Sequence, residues 1–137
     1  MKTILNISLL TFLLIGLSSQ CFAMMSITDV SNERAKELGV VIRSEMAGTN
    51  QVNVWVEFKK QGGLKNFSHA QLEIQDGKRL VLSTTMVTRP GPTPDSVLLY
   101  FSIDRATLSA CIVTIVTDMD LGYQFKMKDF IELKTSR

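Results

Sequence analysis

The sequence predicts an all-β domain, an antiparallel β-sandwich of about seven strands with a short N-terminal helix. Three observations favour this fold. Short segments alternate apolar with polar residues, turn-forming residues separate them every ~8–12 positions, and residues 70–84 have the pattern of a β-hairpin. A chain of 137 residues is long enough for one such domain to bury its own core.

Residues 1–23 are typical of a secretory signal peptide. A short basic start precedes an apolar run from Ile4 to Leu17, and a small residue, Ala23, ends the segment. The apolar run is shorter than the roughly 20 residues that a membrane span needs. We therefore predict cleavage after Ala23, a mature domain of residues 24–137, and a periplasmic or extracellular location. The alternative is a lipoprotein anchored to a membrane through Cys21.

The composition bears on partners and on redox chemistry. The formal charge of +2 falls to about +1 when Lys2 leaves with the signal peptide. Because a near-neutral domain has no electrostatic attraction for polyanions, we expect it to bind neither nucleic acid nor an anionic membrane surface. Cys111 is the one cysteine left after cleavage, so the mature chain cannot form an intramolecular disulfide. Its apolar surroundings indicate a buried, inert thiol, and a dimer-forming or reactive thiol is the alternative.

The mature chain begins with a predicted short helix. Between Val30 and Gly39, Ser31 is a good N-cap residue and Gly39 suits the left-handed position after the last turn. About two helical turns are not stable in isolation, so we expect the sheet to hold this helix.

Predicted strands follow from Val40 to Met46 and from Gln51 to Lys60, before the hairpin. The hairpin allows two registers. A two-residue turn at Asp76-Gly77 would mix apolar and charged residues on each face. A three-residue loop, 75–77, would pair Leu72 with Leu80 and align the apolar residues on one face, and we predict this second register.

The second half of the chain continues the pattern. The segment Arg89–Pro94 contains all three prolines and is predicted to be an exposed loop. Ser96–Ile103 is predicted to be a strand, and Ala110–Thr117, apolar on both faces, a central strand. A turn at Asp118–Gly122 precedes the last predicted strand, Tyr123–Leu133.

In the number and spacing of its strands the chain resembles the immunoglobulin and fibronectin type III class of sandwiches. The resemblance implies that fold alone, since the paired cysteines of true immunoglobulin domains are missing and similarity of fold does not transfer a function.

The sequence offers little for catalysis. His69 is the only histidine, and its neighbour Ser68 is expected to point to the opposite face of a strand. One histidine and one cysteine are too few for a zinc site, and no glycine-rich phosphate loop is present. We therefore predict that the protein is not an enzyme and needs no cofactor. The alternative is a hydrolase that uses Asp118 and Asp120 as general acid and base.

The same two carboxylates indicate a second role, as ligands of a metal ion. Asp118 and Asp120 lie in a turn between two predicted strands, and Ca²⁺ prefers carboxylate oxygens on loops. Asp29 or Asp95 would complete the ligand set if either lies at the same end of the sandwich.

Trp55 is the most informative residue for binding, because strand alternation places it on the polar face. Leu98 and Tyr100 share the corresponding side of their own strand. If the two strands are neighbours, these residues form an apolar patch of the kind that contacts proteins or sugars. The alternative is that the N-terminal helix, a loop or the stem of a lysine side chain covers Trp55. The sequence thus predicts an exported, non-catalytic module that binds a protein or an extracellular polymer. A carbohydrate- or Ca²⁺-binding module is the alternative.

Overall fold

The computed structural model describes residues 25–118 and 120–132, so the predicted signal peptide, residues 1–23, lies outside the described part of the chain. Within those ranges the chain forms one α-helix and nine strands, two more than predicted. The helix is α1 (Asn32–Glu37), and the strands are β1 (Ser26–Asp29), β2 (Val41–Ala47), β3 (Gln51–Lys59), β4 (Phe67–Asp76), β5 (Arg79–Thr85), β6 (Thr88–Pro90), β7 (Ser96–Asp104), β8 (Cys111–Thr117) and β9 (Leu121–Lys126).

The strands form two sheets. The five-stranded sheet has the order β1-β9-β8-β4-β5, and the four-stranded sheet has the order β2-β3-β7-β6. All neighbouring strands are antiparallel except β1 and β9, which pair in parallel. The prediction of a mainly β protein is therefore confirmed, while the strictly antiparallel pairing is corrected by β1.

Both sheets contribute to one hydrophobic core. Alternation along β3 buries Val52, Val54, Val56 and Phe58, and these side chains share a core with residues of β4, β7, β8 and β9. The two sheets thus pack against each other in a sandwich-like arrangement, which leaves the opposite side of β3 facing outward.

The helix α1 has the predicted caps. Ser31 Oγ accepts a hydrogen bond from the backbone N–H of Arg34 at 3.3 Å, and Gly39 follows the helix with φ 69°. Ala35 and Leu38 are buried in the shared core. Packing therefore stabilises a helix that is too short to be stable alone, as predicted.

The β4–β5 hairpin adopts neither of the two registers considered from the sequence. Asp76 pairs with Arg79, so Gly77 and Lys78 are the central residues of the turn. Gly77 has φ 60°, while Lys78 is not in the left-handed region, as in a type II′ turn. The predicted three-residue loop is therefore wrong.

A β-bulge explains the difference. The register shifts between Ile74 and Gln75, and beyond the shift Ile74 pairs with Leu82. The bulge thus lies inside the ladder instead of at the turn, and Leu72 pairs with Thr84 instead of with Leu80. β5 is an edge strand, and Val81 on it is 60% exposed.

Two further predicted elements are corrected. Arg89 and Pro90 are not loop residues, because they belong to β6, a three-residue edge strand that pairs with β7. Proline is compatible with an edge position, where its missing N–H breaks no ladder bond. The last predicted strand is shorter than expected, because β9 ends at Lys126 and a 3₁₀ turn follows at Met127–Asp129; Leu133 lies outside the described residues.

Candidate functional site

The predicted patch is assembled on the outward face of the four-stranded sheet. β3 and β7 are adjacent, and Trp55 is directly opposite Tyr100. Leu98 lies two residues before Tyr100 on the same strand and therefore shares its face. We call Trp55, Leu98 and Tyr100 together the aromatic surface.

The two rings of the aromatic surface contact each other. Their centroids are 5.5 Å apart and their planes are tilted by 42°. Tyr100 Oη donates a hydrogen bond to Asn53 Oδ1 at 3.0 Å, which fixes the phenol ring along the sheet. Tyr100 is 38% exposed, and Trp55 and Leu98 are half-buried. The surface is therefore accessible and its rings support each other.

Polar side chains surround the aromatic surface. Trp55 pairs with Tyr100 of β7 on one side and with Arg43 of β2 on the other. Arg43 Nη2 lies 3.1 Å from Glu57 Oε2 and forms an ion pair with it. A shallow groove of about 520 Å³ opens here and is lined by Arg43, Ser44, Glu45, Trp55 and Leu98. The sequence does not predict the place of Arg43 and Glu57 beside Trp55, because the register between two strands is not determined by either strand alone.

The predicted Ca²⁺ ligands do not gather into a site within the described residues. Asp118 and Asp120 are both exposed, and no group of three or more His, Cys, Asp or Glu side chains among the described residues is placed to hold a metal ion. Asp29, one candidate third ligand, is bound instead by Lys126 Nζ at 2.6 Å, and this hydrogen bond raises the pKa of Lys126. In Asp95, the other candidate, a hydrogen bond from Thr93 lowers the carboxyl pKa.

The backbone of this turn has a structural role. The N–H of Asp118 donates to the carbonyl of Asn66 at 2.8 Å, and the N–H of Ser26 donates to the carbonyl of Asp120 at 2.9 Å. Asp120 itself has φ 53°, a left-handed conformation that Asp tolerates better than most residues. The two aspartates thus join β1, β8 and the loop before β4.

His69 differs from its prediction in one respect. A register shift between Phe67 and His69 breaks the alternation, and Ser68 Oγ lies 3.2 Å from His69 Nδ1. The expectation that these neighbours point to opposite faces is therefore wrong. The second ring nitrogen, Nε2, lies 3.4 Å from the side-chain nitrogen of Gln71. Since an amide and not a carboxylate contacts it, the arrangement lacks the orienting acid of a Ser-His-Asp triad.

Cys111 is fully buried, as predicted. Its Sγ donates to the carbonyl of Thr107 at 3.5 Å, and burial raises the pKa of the thiol to about 11. A thiol that stays protonated at neutral pH is a poor nucleophile, which supports the interpretation of an inert core residue.

Comparison with protein-family models, with curated proteins and with solved structures gave no significant match. In the part of the chain that the structure describes, none of the helices has the length and apolar character required to cross a membrane.

Proposed function

We propose that this protein is an exported, non-catalytic β-sandwich module that binds a protein or an extracellular polymer through the aromatic surface. The observation that carries the proposal is the grouping of Trp55, Leu98 and Tyr100 on one outward sheet face. Tryptophan and tyrosine contribute more binding energy per residue than most side chains, and the two rings already contact each other before a ligand arrives.

The proposed fold is immunoglobulin-like. The strand orders β2-β3-β7-β6 and β9-β8-β4-β5 correspond to the A-B-E-D and G-F-C-C′ orders of that class. The chain crosses between the sheets after β1, β3, β5 and β7. In such sandwiches a sheet face can serve as the contact surface while the core stays intact. This assignment supports a binding role without specifying a ligand.

The proposed location rests on residues 1–23. Mass spectrometry of the protein recovered from expressing cells tests it, since cleavage after Ala23 leaves Met24 as the first residue. A chain that begins at a lipid-modified Cys21 would establish the lipoprotein form instead, and an intact Met1 in the purified protein would contradict export.

The proposed absence of catalysis is supported by the surroundings of the titratable groups. Asp118 and Asp120 are exposed and lie in a turn, whereas a general acid and base need a pocket that holds the substrate. The only histidine contacts Ser68 and Gln71. A hydrolase that uses the two aspartates is therefore the weaker alternative.

The binding proposal can be tested with the mature protein and two matched variants. Trp55→Ala removes the main ring of the aromatic surface, while Val81→Ala removes an exposed apolar side chain from the other sheet. We expect immobilised wild type and Val81→Ala to retain the same partner from the extracytoplasmic fraction of the producing cells, and Trp55→Ala to lose it.

Quenching of tryptophan emission by iodide provides an independent readout, because Trp55 is the only tryptophan. Ready quenching is expected for an accessible binding surface. Emission that iodide cannot quench, or equal retention by all three proteins, would contradict the proposal.

A further inference from the structure

We infer that the ligand of the aromatic surface is a neutral carbohydrate chain. This inference rests on the proposed function and names the chemical class of the ligand. Three features of the surface lead to it: the shape of the groove, the balance of charge around it, and the kind of polar groups beside the rings.

The shape favours a slender ligand. The groove beside Trp55 has a volume of about 520 Å³, within the roughly 300–1,000 Å³ typical of sites for small molecules. It is lined by Arg43, Ser44 and Glu45 of β2 together with Trp55 and Leu98. A depression of this size accommodates a few sugar rings.

The charges favour a neutral ligand. The outward positions of the four strands carry as many acidic as basic side chains, namely Glu45, Glu57 and Asp104 with Arg43, Lys59 and Arg89. In the groove itself Glu45 and Arg43 are neighbours, and Arg43 is already paired with Glu57 at 3.1 Å. Acidic and basic side chains therefore lie side by side, so attraction of a charged polymer to one sign would be offset by repulsion from the other.

The combination of rings and polar groups matches the chemistry of a pyranose. A sugar ring has an apolar C–H face, which packs on an aromatic ring, and a rim of hydroxyl groups, which both donate and accept hydrogen bonds. Trp55 and Tyr100 supply adjacent aromatic rings 5.5 Å apart. The amide of Asn53, the guanidinium of Arg43 and the carboxylate of Glu57 supply donors and acceptors on either side of them.

The experiment uses mature protein and a panel of neutral hexasaccharides with different linkages: cello-, chito-, xylo-, malto- and laminari-hexaose. Binding is measured by isothermal titration calorimetry and by the emission of Trp55. We expect at least one hexasaccharide to bind saturably with a shift of the emission maximum. Affinity should be nearly equal at low and high salt, because no ion pair forms with a neutral ligand.

Variants locate the binding site. Trp55→Ala should weaken binding about tenfold or more, which corresponds to about 1.4 kcal/mol or more. Trp55→Phe retains an aromatic ring, and its affinity should lie between those of wild type and Trp55→Ala. It tests the site even if Trp55→Ala does not fold. Val81→Ala should bind like wild type.

Two results would overturn the inference: no binding to any hexasaccharide of the panel, or binding that Trp55→Ala leaves unchanged. The proposed function fails separately. If no sugar binds but Trp55→Ala still abolishes retention of a cellular protein, the aromatic surface is a protein-binding surface and the carbohydrate inference alone is wrong. If Trp55→Ala changes neither sugar binding nor retention of a cellular protein, the carbohydrate inference and the proposed function are both wrong.

Discussion

The contact between Trp55 and Tyr100 should make a measurable contribution to stability even without a ligand. The two residues are directly opposite on neighbouring strands, with ring centroids 5.5 Å apart. Aromatic pairs contribute about 0.5–1.5 kcal/mol beyond the area they bury, and cross-strand pairs on a sheet contribute roughly 0.2–1 kcal/mol relative to Ala–Ala. Since these rings are partly exposed, we expect a coupling free energy of about 0.5–1 kcal/mol.

A double-mutant cycle measures this coupling. It consists of wild type, Trp55→Ala, Tyr100→Ala and the double variant, each unfolded in urea and followed by far-ultraviolet circular dichroism. Circular dichroism is needed because Trp55→Ala removes the only tryptophan. For a domain of this size, a coupling of 1 kcal/mol corresponds to a difference of roughly 4 °C in Tm.

Two controls separate the ring contact from other effects. The cycle of Trp55 with Val81, which lies on the other sheet, should show additive changes within about 0.3–0.5 kcal/mol. Tyr100→Phe removes the hydrogen bond to Asn53 but keeps the ring, so the coupling with Trp55 should persist. A Trp55–Tyr100 coupling no larger than that of the Trp55–Val81 control would refute the view that the rings hold each other in place.

Three other expectations follow from the described structure. Gly91→Ala should lower the free energy of unfolding by about 1–3 kcal/mol, because a Cβ there would contact Ser96 Oγ and lie 2.8 Å from Ser96 Cβ; thermal unfolding checks this, and a Tm equal to that of wild type would contradict it. Burial raises the pKa of Cys111 in the folded state from 9.0 to about 11, so the stability that the buried protonated thiol contributes is present below about pH 9 and is lost as the pH rises towards 11. Urea unfolding at several pH values should show that the free energy of unfolding falls more between pH 9 and 11 in wild type than in Cys111→Ala. Adding Ca²⁺ should change neither Tm nor calorimetric heat, because Asp118 and Asp120 have no third carboxylate beside them among the described residues; a saturable Ca²⁺-dependent rise in Tm would contradict this.

Sequence periodicity predicted the parts of the fold that depend on one segment alone. The alternation along β3 identified its buried face, and therefore the outward position of Trp55, because side chains of a strand have a strict period of two. The capped helix was predictable for the same reason, since Ser31 and Gly39 act on their own helix ends.

The features that sequence could not predict depend on pairing between segments. The bulge between Ile74 and Gln75 changes the hairpin register without changing any local residue preference. β6 contains a proline, and this is tolerated because its neighbour β7 lies on one side only. β1 is exposed at all four positions, so no apolar pattern marked it as a strand.

The candidate site also has features that one strand predicts and features that depend on the pairing of strands. Strand alternation predicted that Trp55, Leu98 and Tyr100 face outward, and the contact between them then required β3 and β7 to be neighbours in one particular register. The pairing of Arg43 with Glu57 across β2 and β3 depends on a second register that no single strand encodes.

The parallel pairing of β1 with β9 affects the order in which the chain can fold. β1 is the first described strand to leave the ribosome and its partner is the last, so Ser26 has no partner until Leu121 has been synthesised. Closing a loop of nearly the whole domain costs entropy and slows folding. The five-stranded sheet therefore stays incomplete until β9 has been synthesised, and β1 joins it only at the end of folding.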